Sequence, residues 1–571
     1  LTAVMLLFIT GIGTLIHIYS IGYMREDRGF ARFMAYLNLF MASMLVLVLG
    51  SSLPVTFLGW EGVGLCSYLL IGFWKEDLAN GDAARKAFVM NRVGDLGFLL
   101  GAFFLWYAME AAQPGSGSLD YQAISAFFAG SEEEASPMMG KPLVIAACAL
   151  LFLGCTGKSA QIPLLSWLPD AMAGPTPVSA LIHAATMVTS GIYLCARLAD
   201  VFVCSGWVMP AIAVIGCATA VYGAIAGMVQ WDIKKVLAYS TVSQLGFMFM
   251  AVGVGAFDVA LFHVFTHAFF KAALFLGAGS VIHCLHHEQD LRRMGGLAKA
   301  LPVTYSAMWF GWYAIIGLPL GSGFMSKDLI VERLFLGHAD LFGVNLAPVI
   351  GVVALLAALL TAVYMTRMME LAFKGPSRVD PQVKEHLHEA PFTMSAPVLI
   401  LGFGAMVAGA VWCGLDEKLN LFGAYLSGIM PHVPGADHGD HGNLPWIMAG
   451  VSVAIAFTGF GIGKLFFRNG PKDAEVKPLS GFAATWTHGI DALYTLVFVW
   501  PTKVLAWFLA RVIDQLILAS LVRGVGELCG FLGEGYAAIQ RGRLRVSLLL
   551  ALAGMVVLLA YLLAPVLGLG I

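Results

Sequence analysis

Charge is scarce in this 571-residue chain: Asp, Glu, Lys and Arg together make up 12%, against 59% hydrophobic residues and a mean hydropathy of +0.82. Soluble domains carry about 25% charged residues, so a water-facing globule is excluded. Paired cysteines are lacking too. The nine cysteines are odd in number and scattered through apolar segments without C-x-x-C spacing. That pattern argues against a disulfide scaffold, a zinc site and iron–sulfur ligation. No G-x-G-x-x-G fingerprint and no P-loop occurs, so the chain offers no recognisable nucleotide site. A net charge of −2 and a pI near 6.7 leave no clustered basic face for nucleic acid. The opening residues, LTAVMLLF, show neither an initiator Met nor the basic flank of a signal peptide, so the natural N-terminus is expected further upstream.

Long apolar runs are what the chain has in abundance. They recur at roughly 1–22, 33–50, 53–74, 87–109, 142–157, 177–198, 207–229, 234–254, 257–283, 302–321, 346–373, 393–413, 444–467 and 544–567, about 14 spans. They are too long and too unalternating for barrel strands, so their backbone must satisfy itself in helices. The predicted fold is an all-α, polytopic membrane helix bundle. Basic residues gather in alternate loops: Arg25, Arg28 and Arg32; Lys75, Arg85 and Lys86; Arg292, Arg293 and Lys299; Lys374, Arg378 and Lys384; Lys464, Arg468, Lys472 and Lys477. By the positive-inside rule these odd-numbered loops face the cytoplasm, the first segment runs inward and the C-terminus ends outside.

Ionisable residues inside the spans carry the functional signal, because each is costly in apolar surroundings unless paired or facing water. In order they are His17, Glu61, Arg92, Asp95, Lys158, His183, Lys234, His263, His267, Lys271, and Lys327 with Asp328. Arg92 and Asp95, three apart on one helix, either neutralise each other or serve a site. His17 reads as a satisfied core or interface histidine rather than a relay member. Glu61 sits in "GWEGVGLCSY", whose glycines permit a neighbouring helix to approach closely, and a buried carboxylate there wants a cation. Lys158 is the expected partner. It lies where "GKSAQIPLLSWLP" interrupts a span with Pro163 and Pro169, a break tolerated only where backbone is buried in protein or lines water. Thr176 and Pro177 are expected to cap and open the next helix, which carries His183.

A second set follows the same plan. Lys234 starts a helix after "WDI", His263, His267 and Lys271 step by four along one face, and "PLGSGFMSKDLI" breaks another helix at Lys327. Five spans per block is an odd number, so the second block is expected to insert inverted relative to the first, as in transporters. An i, i+4 histidine pair can ligate zinc, but Lys271 one turn on would repel the metal, so a hydrogen-bonded proton relay is the preferred reading of His263 and His267. The tracts "HCLHHEQD" at 283–290 and "HVPGADHGDHG" at 432–442 read as solvated loops.

"GKSAQIPLLSWLPDAMAGPTPVSALIHAATMVTSGIYL", "DIKKVLAYSTVSQLGFM", "HAFFKAALFLGAGSVIH" and "GFMSKD" resemble the antiporter-like subunits of respiratory complex I, the proton-translocating NADH:quinone oxidoreductase, and their multisubunit Na⁺/H⁺ antiporter relatives. The resemblance covers essentially the whole chain and is strongest to the most distal of these subunits, the subunit L family, which "SKD" supports. It implies a remnant of N-terminal helices at 1–29 lacking two further helices, a first repeat at 30–200, an inverted second repeat at 201–375, additional helices at 376–480, a lateral amphipathic helix at 481–541 and a terminal span at 542–571. The pattern of the tail agrees: Arg523, Glu527, Glu534 and Arg541 form one stripe and Lys503, Arg511 and Asp514 another, as on a helix lying along a membrane surface or partner subunits.

Carried over residue by residue, the resemblance implies a coupling pair of Glu61 and Lys158 modulated by Arg92 and Asp95. It further implies His183 as a bridge, Lys234 as the central lysine, His263 and His267 as relay groups, and Lys327 with Asp328 as the outlet. At about 7 Å and an effective dielectric of about 20, a Glu61–Lys158 attraction would be on the order of 2 kcal/mol. The same resemblance implies no redox centre in this chain, with NADH, FMN, iron–sulfur clusters and quinone held by other subunits. The implied partners are the adjacent antiporter-like subunit, the subunits under the lateral helix and the lipid bilayer, in a bacterial inner membrane. A Na⁺/H⁺ antiporter subunit and a structural clamp are the competing readings.

Overall fold

The computed structural model describes residues 1–129, 136–411, 421–427, 429–430, 444–471, 486–487, 489–540 and 544–564. It forms two units, Leu1–Thr487 and His488–Ile571. Among the described residues thirteen helices are long and apolar enough to cross a membrane, and the only strands are two-residue pieces, Asp340–Leu341 and Val344–Asn345, paired in a hairpin. The all-helical expectation therefore holds.

In the first unit α1 (Thr2–Tyr23), α2 (Phe30–Leu49), α3 (Leu53–Ile71) and α4 (Leu78–Ala112) lead to the short α5 (Tyr121–Phe128). The expected span 87–109 lies inside α4, whose 35 residues make it ~52 Å long, well beyond a hydrocarbon core of about 30 Å. Its extra length carries Asp82, Arg85 and Lys86 at the end where Asp77 caps the helix through Ala79 N–H. Then come α6 (Pro142–Lys158), α7 (Trp167–Asp170), α8 (Thr176–Ala184), α9 (Ser190–Arg197), α10 (Ala199–Val203), α11 (Val208–Val229), α12 (Ile233–Gly253) and α13 (Phe257–Cys284). Next are α14 (Pro302–Ile316), α15 (Ser322–Leu336), α16 (Ala347–Phe373), α17 (Pro381–Glu385), α18 (Phe392–Val407), α19 (Leu421–Ser427) and α20 (Leu444–Phe467).

Glycine sets the tightest crossings. A Cβ on Gly94 of α4 would stand 3.1 Å from the Gly157 Cα of α6, and one on Gly246 of α12 would stand 2.5 Å from the Gly216 carbonyl of α11. With no hydrophobic drive between helices in lipid, such small-residue contacts let the backbones meet.

Two expected breaks are present, but the second falls at 317–321 and leaves Lys327 inside the following helix rather than at the break. The fifteen residues of α14 rise only ~22 Å, too short to cross alone. That helix closes on Gly317 in a left-handed conformation, and α15 continues after the turn. After α6, freed backbone groups find partners: Trp167 Nε1 donates to Gly157 O at 2.9 Å, Gln161 N–H to Thr156 O at 3.0 Å, and Ile162 N–H to the hydroxyl of Thr219 on α11 at 3.1 Å. A third interruption was not expected. The apolar run 177–198 splits at 185–189, where the Thr186, Thr189 and Ser190 hydroxyls donate to the carbonyls of Leu181, Thr186 and Met187 and compete with the helical ladder. Thr176 does not cap α8 either; its hydroxyl is hydrogen-bonded to that of Tyr23 at 3.1 Å.

The start of α14 is capped from a distant loop. Glu389 accepts from Val303 N–H at 2.8 Å, Thr304 N–H at 3.2 Å and the Thr304 hydroxyl. Glu389→Ala is expected to cost about 1 kcal/mol, roughly fivefold in local opening. Faster amide exchange at 303–306 would register it; unchanged exchange there would contradict the cap.

The second unit contains a helix over Gly489–Ile539 and another over Leu544–Leu563. Within the first, hydrogen bonding widens to i→i+5 turns at Thr495–Val499 and Leu509–Leu518. Arg523, Glu527 and Glu534 lie on its regular stretch; Arg541, Arg543, Lys472, Lys477 and the tract 432–442 fall outside the described residues.

Candidate functional site

Glu61 on α3, Arg92 and Asp95 on α4, and Lys158 on the last turn of α6 come together, but not in the expected pairs. Glu61 is paired with Arg92, whose side chain is half-exposed and also lies over the Phe88 ring. Lys158 meets Asp95 instead, Nζ to Oδ1 3.4 Å, with side-chain exposures of 1% and 5%. Trp60 Nε1 donates to the same Asp95 oxygen at 2.7 Å and orients it. Arg92 and Asp95 thus serve two different ions across helix interfaces rather than each other. The glycines around Glu61 have separate tasks: Cβ atoms at Gly59 and Gly62 would collide with Leu47 and Ser43 of α2, while one at Gly64 would stand 2.7 Å from Lys158 Nζ. Gly64 therefore makes room for the ammonium. Lys158 also belongs to the last turn of α6, the end of a helix whose dipole favours a cation.

A second row runs through the interior of the unit. His183, at the end of α8, is fully buried with neither ring nitrogen hydrogen-bonded in the structure, and its ring lies 5.0 Å from that of Phe275. On α13, Lys271 is fully buried and donates to the Ser240 hydroxyl at 2.6 Å and Leu237 O at 3.3 Å. His267 Nδ1 donates to Ala184 O at 3.1 Å, next to His183 in sequence, which fixes its tautomer when neutral and leaves Nε2 free to accept. The His267 and His263 rings are 6.3 Å apart. His263 is held at both nitrogens, by Ser326 Oγ at 2.8 Å and Gln244 Oε1 at 3.0 Å. Ser326 belongs to α15, one residue before Lys327, whose Nζ donates to Ile315 O at 3.3 Å across the break. Asp328 points elsewhere, into a small cavity shared with Glu332 and with Pro445, Met448 and Ala449 of α20.

Lys234 does not occupy the centre. Asp232 caps α12 by accepting from the Lys234 and Lys235 amides at 2.8 and 3.2 Å, so Lys234 lies in the first turn, at the rim of the bundle. Its Nζ donates to Met172 O at 2.6 Å and Gly174 O at 3.4 Å, and it lines a 640 Å³ cavity with Lys86, Asp170, Asp232 and Lys235. The lysine within the histidine row is Lys271, which the sequence pattern placed on the histidine face without a role. Its position fifteen residues into the 28-residue α13 was the available signal of depth.

His17 Nδ1 donates to Gly13 O, four residues earlier, at 2.7 Å, while its Nε2 is buried without a hydrogen-bond partner, so the ring is only half satisfied. In the 283–290 tract, His286 and His287 are exposed as expected, whereas His283 ends α13 and packs on the Tyr23 ring at 5.9 Å. Among the described residues no group of three or more His, Cys, Asp or Glu side chains could hold a metal ion.

The chain as a whole has counterparts among known proteins. Residues 50–371 match the family described as "NADH:quinone oxidoreductase/Mrp antiporter, TM", and residues 1–34 match the "NADH-Ubiquinone oxidoreductase (complex I), chain 5 N-terminus". The chain is 40% identical over 563 residues to "NADH-quinone oxidoreductase subunit L" of Mycobacterium tuberculosis, covering 98% of this chain and 84% of that one. It is 41% identical over 575 residues to the subunit L of Escherichia coli, covering 98% and 86%. A chain in the structure of the Mrp complex from Dietzia sp. DQ12-45-1b superposes with a TM-score of 0.69 at 26% identity; the match covers 94% of this chain and only 55% of that one.

Proposed function

The chain belongs to the membrane-subunit family shared by NADH:quinone oxidoreductases and Mrp antiporters, and from that premise we propose that it moves protons across a bacterial inner membrane as a subunit L of NADH:quinone oxidoreductase. NADH, FMN, the iron–sulfur clusters and quinone belong to other subunits. The adjacent antiporter-like subunit packs against this one, and the odd-numbered loops face the cytoplasm. Residues 30–200 and 201–375 act as inverted repeats, the first carrying the break after Lys158 and the second the break before α15, and the long helix of the second unit lies along neighbouring subunits.

One observation carries the reading: the buried row of His183, Lys271, His267 and His263 between two interrupted helices that carry Lys158 and Lys327. Such groups are costly in a membrane interior and mark proton paths. Lys158 is the switch of the first half. While Asp95 lies against it the ammonium is held; when Arg92 draws Asp95 away, the uncompensated proton passes toward His183 and Lys271. Lys327 and Asp328 deliver it to the far side. A pair at 3.4 Å and an effective dielectric of about 20 has a Coulomb attraction on the order of 5 kcal/mol. Burial offsets much of that, and moving one charge against about 150 mV costs roughly 3.5 kcal/mol, so several pairs must switch in series.

Lys158→Ala is expected to abolish most NADH-driven proton pumping in sealed inverted vesicles. Full pumping per NADH would remove this half-channel from the mechanism. The likeness to the Mrp chain supports a second reading, a Na⁺/H⁺ antiporter subunit; Na⁺-driven proton exchange without NADH would favour it.

A further inference from the structure

Helix α4 is tied to the interrupted helix at two levels. Near its start Lys86 forms an ion pair with Asp170 at 2.7 Å, beyond the break; nine residues further, ~14 Å along the axis, Asp95 meets Lys158 before the break. The polarity of the two pairs is opposite, Lys on α4 in one and Asp on α4 in the other. The segment beyond the break, 167–174, is further fixed by Trp167 Nε1 on Gly157 O and Lys234 Nζ on Met172 O. Both lysine attachments face the 640 Å³ cavity, which is lined by Asp82, Asp170, Asp232 and Lys235 as well and is bounded by the start of α4 and by Gln289. The cavity therefore opens beside the basic loops, and the segment carrying Asp170 is its inner wall.

We propose that this cavity is the water-filled proton inlet of the first half-channel and that the Lys86–Asp170 pair is its gate. With the pair closed, segment 167–174 walls Lys158 off from the cavity. With it open, the segment swings on the break and water reaches Lys158 from the basic-loop side. Because α4 carries both pairs, the movement that separates Asp95 from Lys158 also loads Lys86–Asp170, so inlet and switch work alternately. Both partners are partly exposed, 27% and 38%, so the pair is weak enough to open in each cycle.

This inference rests on the proton-pumping reading, and its test separates the two. In the assembled complex, Lys86→Gln and Asp170→Asn are expected to raise amide exchange across 159–174 about two- to fivefold, the range of a partly exposed ion pair. Passive proton permeability of resting vesicles should rise and protons pumped per NADH should fall, and the charge-swapped double variant Lys86→Asp/Asp170→Lys should restore all three. Unchanged exchange and permeability in both single variants would overturn the gate. So would a double variant that stays as leaky as the singles, since a purely steric defect would not be repaired by reversing the charges. Normal pumping by Lys271→Met would instead overturn the proton route itself, whatever the gate variants do.

Discussion

Asp95→Asn is expected to remove most NADH-driven pumping and to harm it more than Glu61→Gln. Asp95 is the carboxylate in contact with Lys158, and it accepts from Trp60 as well, whereas Glu61 is paired with Arg92, whose side chain is half-exposed. Removing one member of a buried pair leaves the other charge uncompensated, at a cost of about 3–5 kcal/mol, and the cost is smaller where, as for Arg92, the partner left behind can turn to solvent. Neutralising Asp95 therefore discharges Lys158 permanently and stops its switching. Pumping rates of the two variants, normalised to assembled complex, decide the order. Equal losses, or a larger loss in Glu61→Gln, would return Glu61 to the role of direct partner.

Lys271→Met is expected to be the second severe variant. The ammonium is fully buried beside Ser240 and Leu237 O, with His183 and His267 as its titratable neighbours. Methionine keeps the length and bulk of the side chain, and swaps of buried charge for apolar groups of similar volume are often neutral for stability. The variant should thus assemble while losing the only amine of the central row, dropping pumping at least about tenfold, which a barrier increase of 1.4 kcal/mol suffices to produce. Lys234→Met should act differently. It removes a tie on segment 167–174 at the rim and is expected to give a leaky complex rather than a blocked one.

Much of the architecture is legible in the sequence because apolar length is a direct physical requirement of a membrane core, and Pro163, Pro169 and the glycines around 321 mark the two breaks. Ion pairing is not legible in that way. Whether Lys158 meets Glu61 or Asp95 depends on how α3, α4 and α6 are rotated about their glycine contacts, and neither carboxylate differs in its local sequence preference. Depth is only half legible. Lys234, second residue of its helix behind an Asp cap, had to lie near an end, and Lys271, mid-helix, had to lie near the middle. The interruption of 177–198 came from three hydroxyls in an apolar run, which hydropathy does not register. Asp170 and Lys86, 84 positions apart, could be joined only by the fold.

The most direct test of a proton route through this chain is the number of protons pumped per NADH oxidised in inverted vesicles carrying Lys271→Met, with an inhibitor of quinone reduction as the control. A proton route through Lys271 predicts a ratio well below that of the unaltered complex, at comparable assembly and with all pumping sensitive to the inhibitor. An unchanged ratio would contradict it and leave the buried row without a part in proton transfer.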